Sequence, residues 1–117
     1  MSNPQPGIFA LGNAAHAYLE LDRVAGADAR RLAEVLATLQ AEQATGGGVN
    51  LVVGFRPELW RGIAPADLPA EVRGFDAPVQ GIEGFAMPAT QHDAVIWLAG
   101  GAYEIVFDAI VGALRAL

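Results

Sequence analysis

Hydrophobic and polar positions alternate from His16 to Leu21, setting Ala17, Leu19 and Leu21 on one side of an extended chain and His16, Tyr18 and Glu20 on the other. That is the pattern of a half-exposed strand. The period then lengthens. Leu32, Val35, Leu36 and Leu39 recur at helical spacing behind Asp28, a residue suited to an N-cap, while Arg31, Glu34, Gln40 and Glu42 can face water. A helix from about Ala27 to Ala44 is predicted, stopped by Thr45-Gly46-Gly47-Gly48, where consecutive glycines would lose backbone entropy inside a helix. Val49 to Phe55 reads as a second strand, with Val49, Leu51, Val53 and Phe55 on one side, and Arg56-Pro57 ends its pairing.

Glu58 to Ile63 can form a short helix, and the Pro- and Gly-punctuated stretch from Ala64 to Gly84 reads as a long loop. Pro88 blocks a helix ahead of the third strand. Ala94 to Leu98 is apolar without a break, the pattern of a strand covered on both faces, and Gly100-Gly101 stops it. A last helix begins near Ala102. Ile105, Val106, Ala109, Ile110, Ala113, Leu114 and Leu117 form its apolar stripe, but Phe107 and Val111 lie off the stripe, and Glu104, Asp108 and Arg115 leave only a thin polar ridge. Such a helix is expected to be buried on more than one side. The lead-in from Ser2 to Gly7 is expected to be flexible.

Strand, helix, strand, strand, helix is the order of an α+β, ferredoxin-like βαββα(β) unit that lacks its last strand. A chain of 117 residues fits one domain, residues 1–117, able to bury about two thirds of the surface its unfolded form exposes. With 53% hydrophobic and 17% charged residues, a disordered chain is excluded. The net charge is -6 and the seven basic residues are all arginines in no dense run, so nucleic acid is not an expected partner. Cysteine is absent, which removes disulfides, thiolate metal sites and a cysteine nucleophile. No signal peptide is visible and no apolar run approaches the roughly 20 residues needed to cross a bilayer, so no membrane partner is expected and a cytoplasmic location is.

Three segments carry a family resemblance. Gln5 to Asp22 (QPGIFALGNAAHAYLELD), Gly48 to Trp60 (GVNLVVGFRPELW) and Met87 to Gly100 (MPATQHDAVIWLAG) resemble, in this order, the N-terminal half of dye-decolourising (DyP-type) haem peroxidases. The resemblance implies a ferredoxin-like half that packs against a C-terminal, haem-ligating half of the same enzyme. It implies haem b in the parent family, with none held by this chain alone, and a parent activity of hydrogen-peroxide-dependent oxidation of dyes or phenolic compounds. In that family the distal acid sits in a Gly-x-x-Asp-Gly motif beyond the N-terminal half, and the proximal histidine and distal arginine lie later. None of Asp22, Asp28, Asp67, Asp76, Asp93 or Asp108 sits in such a motif, so the resemblance assigns no catalytic, cofactor-binding or metal residue here. A non-enzymatic, dimeric binding or assembly module is the alternative, since a missing fourth strand leaves a sheet edge that self-association into a homo-oligomer would cover.

The residues themselves offer little convergent chemistry. His16 and His92 have no second histidine at metal-ligand spacing, and Asp93 should point away from His92 on a strand. His92 is the better functional candidate, because it follows a Pro-containing turn and is placed to reach the long loop. Trp60, Trp97, Tyr18 and Tyr103 are either packing residues or electron-transfer sites of the kind the resemblance allows. Gly46-Gly47-Gly48 precedes a strand without Lys, Ser or Thr following, so it is not a phosphate loop. Glu104 and Asp108 are expected to be solvated on one helix face, and the only serine is Ser2.

Overall fold

The structure, a computed structural model, describes residues 3–43 and 46–117. Its main sheet contains β1 (Ala15–Leu21), β2 (Val49–Phe55) and β5 (Ala94–Gly100) in the order β1-β5-β2. β5 runs antiparallel to both neighbours, so β1 and β2 are parallel with β5 inserted between them, the split βαβ arrangement of the ferredoxin-like fold. α1 (Ala29–Gln43) connects β1 to β2, and α3 (Tyr103–Ala116) follows β5. The predicted helix end at Ala44 and the stop residue Thr45 lie outside the described residues. Asp28 caps α1 through Oδ1, which accepts the Arg30 N–H at 3.0 Å.

Both long helices lie on one face of the sheet. Leu36 and Leu39 from α1 and Val106 and Ala113 from α3 meet Leu51, Val53, Ile96 and Leu98, forming one continuous core. Leu36, Leu51, Ile96, Leu98 and Val106 are fully buried. The unbroken apolar run of β5 therefore misleads. Ala94, Ile96 and Leu98 point to the helices, whereas Val95 and Trp97 belong to the opposite, half-open face. α3 also differs from expectation: Tyr103, Ile105, Phe107, Leu114 and Leu117 stay exposed, and its contact with the sheet runs through Val106, Ala109, Ile110 and Ala113.

The stretch predicted as one long loop holds more structure. α2 (Pro57–Ile63) is followed by a 3-10 turn at Pro65–Asp67 and by a hairpin of β3 (Val79–Gln80) and β4 (Ala86–Met87). Glu83 and Gly84 form the hairpin tip with φ of 55° and 78°, positive at both central positions as a type I′ turn requires. Upstream, the Glu58 carboxylate accepts the Gly74 N–H at 2.8 Å, Gln91 Oε1 accepts the Phe75 N–H, and Arg61 donates to the Val72 carbonyl. These bonds pin the segment to α2 and to the entry of β5.

The lead-in is also ordered from Asn3 onward. Gln5 places its side-chain amide against the outer edge of β2, donating to the Val53 carbonyl at 2.7 Å and accepting the Val53 N–H at 2.9 Å. A 3-10 turn at Pro6–Phe9 follows, and Gly7 comes so close that an added Cβ would lie 2.7 Å from Val52 Cγ2. Gln5→Ala strips both bonds from Val53 and is expected to cost about 1–2 kcal/mol. Urea unfolding measures this, and an unchanged midpoint would show that the amide contributes no net stability.

Candidate functional site

The C-terminal ends of β1 and β2 and the start of β5 lie at the same end of the sheet, because β5 runs opposite to the other two. Each strand delivers a charged residue there. Asp93, with only 7% of its surface exposed, is gripped from both flanks. Its Oδ2 accepts the Arg23 backbone N–H at 2.9 Å and the Arg23 Nε–H at 3.2 Å, and its Oδ1 accepts Arg56 Nη2 at 2.7 Å. Its backbone carbonyl accepts the Arg56 N–H, and its own N–H reaches the Leu21 carbonyl and Asp22 Oδ1. The Arg23 N–H holds the Asp93 carboxyl below its ordinary range, with the Arg23 and Arg56 guanidinium groups adding to the effect and desolvation opposing it.

His92 sits beside this clamp. Its Nδ1 is 2.8 Å from Asp22 Oδ2 and its Nε2 is 3.4 Å from Glu20. The hydrogen bond to Asp22 raises the imidazole above its ordinary pKa and lowers that of the aspartate. His92 thus pairs with the end of β1 rather than with the long loop. The two carboxylates lie on opposite ring nitrogens and do not converge on a common point. Among the described residues, no group of three or more His, Asp or Glu side chains is placed to hold a metal ion.

A cleft of about 310 Å³ opens beside the cluster, lined among others by Glu20, Arg56, Thr90, Gln91 and His92. From there the helix-free face of the sheet extends as an aromatic row. Trp97 stacks between His16 and Tyr18, with ring centroids 6.0 and 6.2 Å away, and its indole N–H donates to His16 Nδ1 at 3.2 Å. Trp60 packs on Phe55 at 5.0 Å, and Tyr103 pairs with Phe107 on α3 at 6.4 Å. Glu104 and Asp108 are exposed on α3. Gly46–Gly48 forms a 3-10 turn with φ of 61° and 80° at Gly47 and Gly48, a backbone reversal between α1 and β2. Ser2 lies outside the described residues.

No family model matches the chain, and no curated protein matches it. The fold, however, recurs in solved structures. A putative Dyp-type peroxidase from Shewanella oneidensis aligns over 99% of this chain and 39% of its own, with a TM-score of 0.78 at 20% identity. A DypB variant from Rhodococcus jostii RHA1 in complex with heme aligns over 97% of this chain and 38% of its own, with a TM-score of 0.73 at 18% identity. A dye-decolorizing peroxidase from Bacteroides thetaiotaomicron VPI-5482 aligns over 86% of this chain, with a TM-score of 0.51 at 11% identity. The chain thus has the ferredoxin-like fold found in these proteins and spans about two fifths of the length of the first two. No helix among the described residues is long and apolar enough to cross a membrane.

An axial haem ligand needs an imidazole nitrogen free to face the iron in a pocket large enough for the macrocycle. The histidines here do not fit that role. His16 accepts the Trp97 N–H on Nδ1 and holds Nε2 at 3.1 Å from the Asn13 carbonyl, while both nitrogens of His92 face carboxylates. The cluster at the sheet end ties the three strands together through ion pairs and hydrogen bonds.

Two measurements check this assignment. Asp93→Asn leaves two guanidinium groups without their buried counter-charge, and a loss of about 3 kcal/mol is expected in urea unfolding. The pH dependence has two limbs. The carboxyls of Asp93 and Asp22, lowered in the folded state, stabilise it above about pH 3.8, and this contribution is lost as pH falls through their folded values. His92, raised in the folded state, contributes fully below about pH 6.5, and its share is lost as pH rises through its folded value. Stability should therefore peak between these limbs, and His92→Phe should flatten the alkaline limb and remove Asp22's share of the acid one while leaving that of Asp93.

Proposed function

We propose that residues 1–117 act as the ferredoxin-like scaffold half of a DyP-type haem peroxidase, the half that comes first in the chain. The observation carrying this reading is the match of nearly the whole chain to about two fifths of Dyp-type peroxidase structures, one of them in complex with heme, supported by three sequence segments in the same order. The parent activity is hydrogen-peroxide-dependent oxidation of dyes or phenolic compounds on haem b. The haem-ligating residues belong to a C-terminal half, and this unit supplies support. Its helix-free sheet face, with Trp97 between His16 and Tyr18, suits contact with that second half: broad and aromatic, with an imidazole and a hydroxyl to orient the partner.

Haemin titration of the purified chain tests this division of labour. The expected result is no sharp stoichiometric Soret band and no peroxide-dependent dye oxidation. A one-to-one band with turnover would overturn it and place a haem site within this unit.

A second reading, a self-associating binding or assembly module, is favoured by one specific feature. Among the described residues, β1 has a strand neighbour on one side only, and α3 beside it exposes Phe107 and Leu114.

A further inference from the structure

The β3–β4 hairpin stands clear of the body of the protein. Every residue from Phe75 to Pro88 is exposed, although Phe75, Val79, Ile82, Phe85 and Met87 are large and apolar. Glu58 and Gln91 hold the segment at Gly74 and Phe75. Beyond those bonds, among the described residues, no hydrogen bond or ion pair ties residues 76–90 to the rest of the chain. The hairpin is therefore held by its own cross-strand pairs, and a two-stranded hairpin without a core beneath it is marginally stable in water.

Those pairs follow one register. Val79 faces Met87 and Gln80 faces Ala86, and the Gly81 N–H donates to the Phe85 carbonyl at 2.7 Å, which continues the same register toward the tip. Hydrogen-bonded pairs alternate along an antiparallel ladder, so Val79 and Met87 form the next one and close the hairpin at its base. Side chains two apart share a face, which puts Val79, Phe85 and Met87 together. The Phe85 ring leans over Gly81, where an added Cβ would meet Phe85 Cδ1 at 3.0 Å. Gly81 offers no side chain to its partner, and Gln80 opposite Ala86 sets a polar group against a small one. Val79 and Met87 are thus the one pair in which two large apolar side chains meet across the strands.

We propose that Met87 is a peroxide-sensitive modification site, and that its oxidation to the sulfoxide loosens this hairpin while leaving the core intact. The step takes its oxidant, hydrogen peroxide, from the peroxidase reading above and rests on that reading to this extent. The thioether sulfur attacks one peroxide oxygen. An S–O bond forms as the O–O bond breaks, and the other oxygen leaves as water with both protons. Sulfur is oxidised by two electrons and the peroxide is reduced by two. Access is open, since Met87 is 53% exposed. It is also the only sulfur among the described residues, so no thiol competes for the oxidant. The product is a polar, chiral side chain in place of a flexible apolar one, and methionine sulfoxide reductases reverse the change. A cross-strand pair contributes little to a sheet that lies on a core, but here Val79 and Met87 supply much of what holds two short strands together. The body of the protein is spared, because its buried residues come from the main sheet and the two long helices.

Peroxide treatment of the purified chain without haem, followed by tryptic mass spectrometry, reads the first step in the peptide spanning 74–115, which contains Met87. One oxygen is expected on Met87, added at a rate within roughly threefold of that in the urea-unfolded chain. Amide hydrogen exchange then reads the consequence. After oxidation the amides of Val79, Gly81 and Phe85 should exchange roughly two- to fivefold faster, while those of Ile96 and Leu98 keep their rates. Met87→Leu should abolish the response to peroxide, and Met87→Gln, polar at the same place, should reproduce it without peroxide. Oxidation more than roughly tenfold slower than in the unfolded chain overturns the proposal. So does unchanged exchange in the hairpin, a response that persists in Met87→Leu, or a loss of protection that spreads through the core. No haem enters any of these measurements, so their failure is distinct from that of the peroxidase reading, which the haemin titration tests.

Discussion

The ion cluster around Asp93 fixes the relation of the three main strands. A carboxylate removed from water is costly unless its charge and its lone pairs are answered, and here the answers come from different parts of the chain. Arg23 follows β1, Arg56 follows β2, and Asp93 itself precedes β5. A slip of either outer strand would draw its arginine away and leave a buried charge short of a partner. Registry therefore has an electrostatic component beside the hydrophobic one, and the penalty for misalignment falls on the end of the sheet where the chain enters β5.

Above that end the sheet is one-sided. α1 and α3 take the face built from Leu51, Val53, Ile96 and Leu98, while the other face carries His16, Tyr18, Trp97 and Val52. The stacking of Trp97 between an imidazole and a phenol gives this face order without a covering helix, since each ring shields part of the next. A face that is preformed and partly apolar loses little entropy when a partner covers it. Among the described residues the edges follow a similar division, with β2 met by Gln5 on its outer side and β1 paired with β5 alone.

The strands and long helices were legible because their periods were clear: alternation from His16 to Leu21, and helical spacing from Leu32 to Leu39. Other features were hidden for identifiable reasons. The run from Ala94 to Leu98 suggested burial on both faces, but apolar content does not distinguish a helix-covered face from one shielded by neighbouring aromatic rings. The hairpin at Val79–Met87 was missed because its tip is Glu83-Gly84 rather than the usual Asn-Gly or Asp-Gly. The lead-in read as flexible because a side-chain amide acting as a strand partner leaves no periodic trace. At the sheet end, Asp93 was read only as pointing away from His92. The available signal was that arginines stand just past two parallel strands and an aspartate just before the antiparallel strand between them, but this becomes visible only once strand order is known.

The fold recurs in solved peroxidase structures, and the two histidines and the buried aspartate already have partners within these residues. Peroxidase chemistry requires an imidazole with an unengaged nitrogen and an acid poised to shuttle a proton. Both histidines and Asp93 face partners of the same chain. His92 is held between Asp22 and Glu20, His16 between Trp97 and Asn13, and Asp93 between two arginines. Contacts of this kind stabilise one geometry, because moving a proton on Asp93 or His92 would weaken bonds that hold strands in register, while the buried Arg56 Nε keeps no partner. The residues that fix the strand ends are thus the same ones whose charges answer one another.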